Sequence, residues 1–222
     1  MTATDRATID YQSEVLRKAI HLCSLSIPIV YYFITRELAL MLLVPLTFLS
    51  LILDLGRYYF KPFSNFFYKF FGFLLRNHEK DEKKKNLNGA TYVLISAVLV
   101  IVIFPKVFVV TSFAVLIIGD MSAALIGRKF GQTQFLFKSL EGTLAFFVFS
   151  CVVVLLTPKV EGSLTEFVIG FIAVGVGAIA ENLSGSWADD NLTIPVSIGI
   201  TMWILYALLL PHAALVLPNV PN

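Results

Sequence analysis

Gly119-Asp120-Met-Ser-Ala-Ala-Leu-Ile-Gly127-Arg128-Lys129-Phe-Gly131-Gln-Thr-Gln-Phe-Leu-Phe-Lys138-Ser139-Leu-Glu141-Gly142 is the stretch that decides how this chain is read. It follows an apolar run, Val107–Ile118, and leads into another that opens at Leu144. Asp120 therefore stands at the end of an apolar segment, where a carboxylate costs several kcal/mol unless it has a partner or a cavity. Small residues, glycines, three cations and a second acid follow it. An acid beside a glycine-rich cationic loop points to a site for a metal ion and phosphates. The plainer reading makes Asp120 an anchor at the end of a span.

The composition agrees with a membrane protein. Apolar residues are 57% of 222 and charged residues 14%, against about a quarter charged in a soluble domain; mean hydropathy is +0.81. Apolar runs occur at Ile20–Ile34, Leu38–Leu53, Ala90–Phe104, Val107–Ile126, Leu144–Thr157, Phe167–Ala180 and Leu192–Leu210. A span needs about 20 such residues, so several runs reach that length only with their flanks, and tilt or local thinning is implied. The expected fold is an all-α integral membrane protein: one domain over 1–222, a bundle of about seven transmembrane helices. Pro105-Lys106 is read as either a tight turn or a kink.

The cations set the orientation. With the N-terminus inside, fourteen of the seventeen Lys and Arg residues fall on inner segments, and only Arg36, Lys106 and Lys159 fall outside. The N-terminus is thus expected in the cytosol. The polar clusters Glu14–His21, Asn86–Thr91, Asp120–Gly142 and Glu181–Asn191 then share the cytosolic face, as a single active site there requires. Residues 55–88 are read as an aromatic, cationic interfacial helix followed by a cytosolic loop. The helix is either a plain anchor or a gate for lipid access. The first apolar run lacks a small-residue cleavage pattern and is read as a membrane helix, not a removable signal. Cys23 and Cys151 fall in predicted spans and indicate neither a disulfide framework nor a zinc site.

Glu14, Arg17, Lys18 and His21 are spaced to share one helical face. The cations could meet phosphate and His21 could act as a base; a snorkelling collar is the plainer account. Asn88 and Thr91 either cap the third span or frame an anion site on its exposed amides. Asp120, Ala124, Gly127 and Gly131 line one face if the helix continues, which suits a close helix neighbour or a bound phosphate. The segment is not a P-loop. Lys138-Ser139-Leu140-Glu141-Gly142 adds a third cation and a carboxylate. Asp189-Asp190-Asn191 opens the last span; the acids either cap that helix or bind Mg²⁺ alongside substrate phosphates. Glu181 is a weaker candidate of the same type. Gly175 and Gly177 are expected to allow close helix packing.

Together Glu14-x-x-Arg17-Lys18-x-x-His21, Gly119-Asp120-x-x-Ala123-Ala124-x-x-Gly127-x-x-x-Gly131, Lys138-Ser139-x-Glu141-Gly142 and Asp189-Asp190-Asn191-x-x-x-Pro195 resemble the motifs of the dolichol kinase, phytol kinase and CTP-dependent diacylglycerol kinase family. The resemblance extends from about residue 12 to 205. It implies a polytopic enzyme that uses a cytidine nucleotide and Mg²⁺ to phosphorylate a membrane lipid alcohol. On that basis Asp120, Glu141, His21 and Glu14 are the catalytic candidates. Asp120, Asp189 and Asp190 are the metal candidates. Arg17, Lys18, Asn88, Gly127, Arg128, Lys129, Gly131, Lys138, Ser139, Gly142 and Asn191 are the nucleotide and phosphate candidates. The proton acceptor is left open among His21, Asp120 and Glu141. The central block also resembles phosphatidate cytidylyltransferases, which would make CDP-diacylglycerol instead. A transporter using Asp120 and Glu181 as ion sites is the reading from another class; the halves show no matching interrupted helices.

Overall fold

The structure is a computed structural model describing residues 11–71, 87–184 and 188–221, without the side chains of 11–16, 63, 66, 68, 70 and 71. The elements run α1 (Tyr11–Cys23), α2 (Ser26–Phe33), α3 (Arg36–Tyr59), α4 (Lys61–Phe71), α5 (Gly89–Ile103), α6 (Lys106–Phe130), β1 (Gln134–Phe135), β2 (Lys138–Ser139), α7 (Leu140–Leu156), α8 (Leu164–Leu183) and α9 (Asp190–Leu209). Each apolar run of the sequence falls on helix. α3, α6, α8 and α9 are long and apolar enough to cross a membrane. α5 and α7 are equally apolar but only 15 and 17 residues long. Most of the cationic loop expected within 55–88 lies outside the described residues; α4 falls within the segment read as an interfacial helix.

The first run is broken. Pro28 cannot donate to the carbonyl of Ser24 and its ring crowds that carbonyl. The chain turns at Ser24-Leu25 through Ser24 N–H to the His21 carbonyl (2.9 Å) and Leu25 N–H to the Leu22 carbonyl (3.0 Å). At the other doubtful boundary the tight turn is what forms: Phe104, restricted by the following proline, is extended (φ −105°, ψ 153°) and ends α5, and α6 starts at Lys106.

The exposed surface is apolar, with Leu156, Leu164, Leu208 and Met41 between 69% and 80% exposed. That is the inverse of a soluble protein and suits lipid contact. α6 is the central helix; it packs on α1, α2, α5, α7, α8 and α9, most extensively on α7. Between helices in lipid, close packing stands in for the hydrophobic effect, and the glycines provide it. A Cβ on Gly119 would lie 2.5 Å from Ser150 Oγ, one on Gly170 2.5 Å from Val154 Cγ1, and one on Gly177 2.8 Å from Ile198 Cδ1. Gly175, expected to be as tight, would meet only Phe147 at 3.8 Å. A two-stranded antiparallel hairpin, absent from the all-α expectation, joins α6 to α7.

Candidate functional site

Asp120 sits on α6, ten residues before the helix ends, and is 3% exposed. α6 does continue past it to Phe130, so the face carrying Asp120, Ala124 and Gly127 is real, with Gly131 as the C-cap. Lys18 of α1, 3% exposed, ion-pairs with Asp120 Oδ2. His21 Nε2, one turn further along α1, lies 3.6 Å from the same oxygen. The spacing of Lys18 and His21 thus brings both to one buried carboxylate. Arg17 is half-buried on the same helix, and the side chain of Glu14 lies outside the described residues.

A second acid–cation pair stands nearby. Lys138 Nζ lies 2.5 Å from Glu181 Oε1 and 3.4 Å from Ser184 Oγ. Glu181 is 3% exposed and lies within electrostatic range of Asp120 and Asp190 as well as Lys138. Asp190 and Asn191, at the start of α9, are 7% and 3% exposed. Asp189 caps α9: its Oδ1 accepts from Asn191 N (3.0 Å) and Nδ2 (2.6 Å). Glu181 Oε2 and Asn191 Oδ1 are buried without a hydrogen-bond partner among the described residues. Buried polar atoms of that kind call for an explanation, and an exchangeable ligand is one. Three buried carboxylates gather here, two of them paired with lysines, and most of the donor atoms are oxygens. That set fits a hard divalent cation, which takes one or two carboxylates and completes its shell with phosphates and water. Among the described residues no three His, Cys, Asp or Glu side chains form a ready-made cage.

Other candidates take structural partners. Ser139 Oγ accepts the Gly142 N–H at 3.2 Å and caps α7. A Cβ on Gly127 would be 2.9 Å from that Oγ and 3.3 Å from Gly142 Cα, and one on Gly142 would be 3.0 Å from the Ala123 carbonyl. These residues form the α6–α7 seam. Glu141 accepts the Thr133 N–H (3.0 and 3.3 Å) and closes the base of the hairpin. Asn88 caps α5 by accepting the Thr91 N–H at 2.9 Å. Arg128 and Lys129 are exposed on the last turn of α6.

Two features escaped sequence reasoning. Asp54, fully buried on α3, accepts the Asn88 N–H at 2.7 Å and pairs with Arg57 Nε at 2.9 Å. Arg57 in turn lies over the Tyr58 and Phe67 rings, at 4.7 and 5.4 Å, which ties α4 to the bundle. The signal was the one that exposed Asp120, a lone acid ending an apolar run. Asn182 holds the hairpin: its Oδ1 accepts from Phe137 N (2.9 Å) and Lys138 N (3.3 Å), and its Nδ2 donates to Thr143 Oγ1 (2.7 Å). An asparagine near a helix end carries no such signal.

No family model matches the chain, and no solved structure matches it. An uncharacterised protein of Rickettsia prowazekii is 32% identical over 192 residues, covering 86% of this chain and 93% of that one. The CTP-dependent diacylglycerol kinase 1 of Schizosaccharomyces pombe is 31% identical over 156 residues, covering 64% of this chain and 70% of the kinase. The chain belongs to the family of these two proteins. Family membership and the apolar helices agree on a membrane-associated, mostly helical protein related to a lipid kinase.

Proposed function

We propose that this chain is a CTP- and Mg²⁺-dependent lipid-alcohol kinase, transferring the terminal phosphoryl group to the hydroxyl of a polyprenol, phytol or diacylglycerol. The observation that carries the reading is the convergence of a buried pair, Lys18–Asp120, and a half-buried pair, Lys138–Glu181, with Asp190 in a chain related to a CTP-dependent diacylglycerol kinase. About seven spans, an N-terminus in the cytosol and a site opening to the cytosolic face belong to the same proposal.

Phosphoryl transfer depends on alignment and charge neutralisation more than on covalent help from the protein. Asp120 and Asp190 would hold the metal, with Asn191 Oδ1 and Glu181 Oε2 as further oxygen donors; Asp189 is committed to the helix cap. Bound Mg²⁺ would neutralise nucleotide oxygens. Lys18 and Lys138, each paired with a carboxylate, would exchange that partner for phosphate oxygens. His21, beside Asp120, is positioned to take the proton of the lipid hydroxyl as its oxygen bonds to phosphorus and CDP leaves. Glu141, engaged at the hairpin base, is less well placed for that task.

The test is a panel of prenols, phytol, diacylglycerol and phosphatidate given to purified protein with Mg²⁺ and CTP labelled at the terminal or the inner phosphate. Terminal label entering an alcohol supports the kinase. Inner label entering phosphatidate alone rejects it in favour of a cytidylyltransferase, and no incorporation with any acceptor rejects both.

A further inference from the structure

The hairpin between α6 and α7 has a property that the proposed chemistry does not use. Gln134 pairs with Ser139 and Phe135 with Lys138, so Leu136 and Phe137 are the two turn residues. The favoured two-residue hairpin turns need a positive φ at the first central position, which selects Asn, Asp or Gly. Leu136 occupies it, at φ 50°, where a bulky side chain is strained. Leu136 gains no burial in return. It is 49% exposed, Phe137 57%, Phe135 36%, and Phe130 at the foot of the hairpin 56%. Nor is the conformation a loose loop. Asn182, fully buried on α8, grips the backbone at Phe137 and Lys138.

The surroundings say what would cover this tip. Arg128 and Lys129 are exposed on the last turn of α6, which leads into the hairpin, and Lys129 Nζ lies 5.3 Å from the Phe130 ring centre. An apolar tip with a cationic shoulder matches the boundary of a bilayer bearing anionic headgroups. The position matches too. At 1.5 Å per residue α6 is about 37 Å long, against about 30 Å of hydrocarbon, so its last turns reach headgroup level. α7 leaves the hairpin with Leu144, Phe147 and Val148 exposed, so the tip continues the apolar belt of that helix.

We infer that the 134–139 hairpin is a membrane-inserted tip: Leu136 and Phe137 enter the acyl region of the leaflet nearest the hairpin, and Arg128 and Lys129 rest on anionic headgroups. Lys138, next to the tip and in contact with Glu181, is thereby fixed at the lipid surface. The inference stands apart from the phosphoryl chemistry and needs no activity to test. The probe is a nitroxide on Phe137→Cys in a Cys23→Ser/Cys151→Ala background, placed in phosphatidylcholine–phosphatidylglycerol nanodiscs. Collision with oxygen, which partitions into lipid, is compared with collision with a water-soluble nickel chelate. Oxygen collisions exceeding nickel collisions severalfold are expected, both there and with the label on Leu136→Cys. The reverse ratio puts the tip in water and overturns the inference. A label shielded from both reagents overturns it in favour of a protein partner, and one immobilised only on adding CTP overturns it in favour of base stacking. Arg128→Glu/Lys129→Glu should lower the oxygen-to-nickel ratio in phosphatidylglycerol discs and leave it unchanged in pure phosphatidylcholine; an equal ratio in both removes the headgroup contact.

Discussion

The two ends of the helix bundle use the same residue types to opposite purposes. At the end where α6 and α8 begin, every cation named lies against a helix terminus. Arg36 donates to the Val102 carbonyl, Lys106 to those of Ile34 and Pro221, and Lys159 to those of Val154 and Thr157, at 2.6 and 2.7 Å. Cations suit the negative end of the helix dipole. Glu166, 1% exposed, accepts from the backbone of Val160, Glu161, Gly162 and Ser163 and from the Tyr206 hydroxyl. At the end carrying Asp120, cations meet buried carboxylates across helices, while oxygens of Glu181 and Asn191 are left over. The first end commits its charges to backbone groups and a hydroxyl, although Ser163 Oγ there has no hydrogen-bond partner among the described residues. The other end commits them to one another across helices.

Four experiments press on that contrast. Asp120→Asn should lower lipid phosphorylation by about a thousandfold, at the upper limit for losing one preorganised charge contact. It should also destabilise the fold by about 3–5 kcal/mol, because Lys18 is left buried and unpaired. Adding Lys18→Met should restore the melting temperature and leave turnover absent; recovery of turnover would remove Asp120 from the chemistry. At the other end Glu166→Ala orphans four backbone N–H groups and a hydroxyl, so a loss of about 3 kcal/mol or more is expected in a denaturant melt, with kcat per folded molecule unchanged. A fall in kcat as large as the fall for Asp120→Asn would erase the distinction between the ends.

Lys138→Ala should raise the nucleotide KM or lower kcat about tenfold, matching one charge-assisted contact of about 1.5 kcal/mol, as read by steady-state kinetics. The smallest effect concerns Lys159, on the α7–α8 loop. Burial pushes its ammonium below the usual lysine range, with the Glu166 charge opposing. The folded protein therefore releases this proton before the unfolded chain does, and stability should rise with pH from the folded value up to the unfolded one. Below that window both states are protonated and no slope arises. Alkaline melts of the parent and Lys159→Met should differ by that slope; parallel profiles would contradict it.

Much of the fold was legible because hydropathy alone dictates where apolar helices run, and the runs ending at Phe104 and starting at Val107 were placed within a residue or two. What the sequence hid was pairing. Gly127 reads as suiting either a close helix neighbour or a bound phosphate, because small residues serve close backbone approach to both; the α6–α7 contact supplies the neighbour. The hairpin went unseen since two-residue strands have no period and Leu136-Phe137 is no turn signal. Ser163-x-x-Glu166 was a readable capping box, yet nothing local foretold that Tyr206, forty residues on, would complete it.

The burial of α6 also bears on how the protein is made. α6 is shielded on one side by α9, which closes the described helices and is synthesised some sixty residues after α6 ends. Until α9 arrives, the flank of α6 that packs on it faces lipid or the insertion machinery, while Asp120 already has Lys18 of α1 as its partner. Docking of α9 then brings in Asp190 and Asn191 at one end and the Tyr206 hydroxyl onto Glu166 at the other. The same late event completes the candidate site and adds a hydroxyl partner to Glu166 at the opposite end of the bundle. Chains released before it would lack the Tyr206 hydroxyl on Glu166 and would leave the α9-facing flank of α6 uncovered.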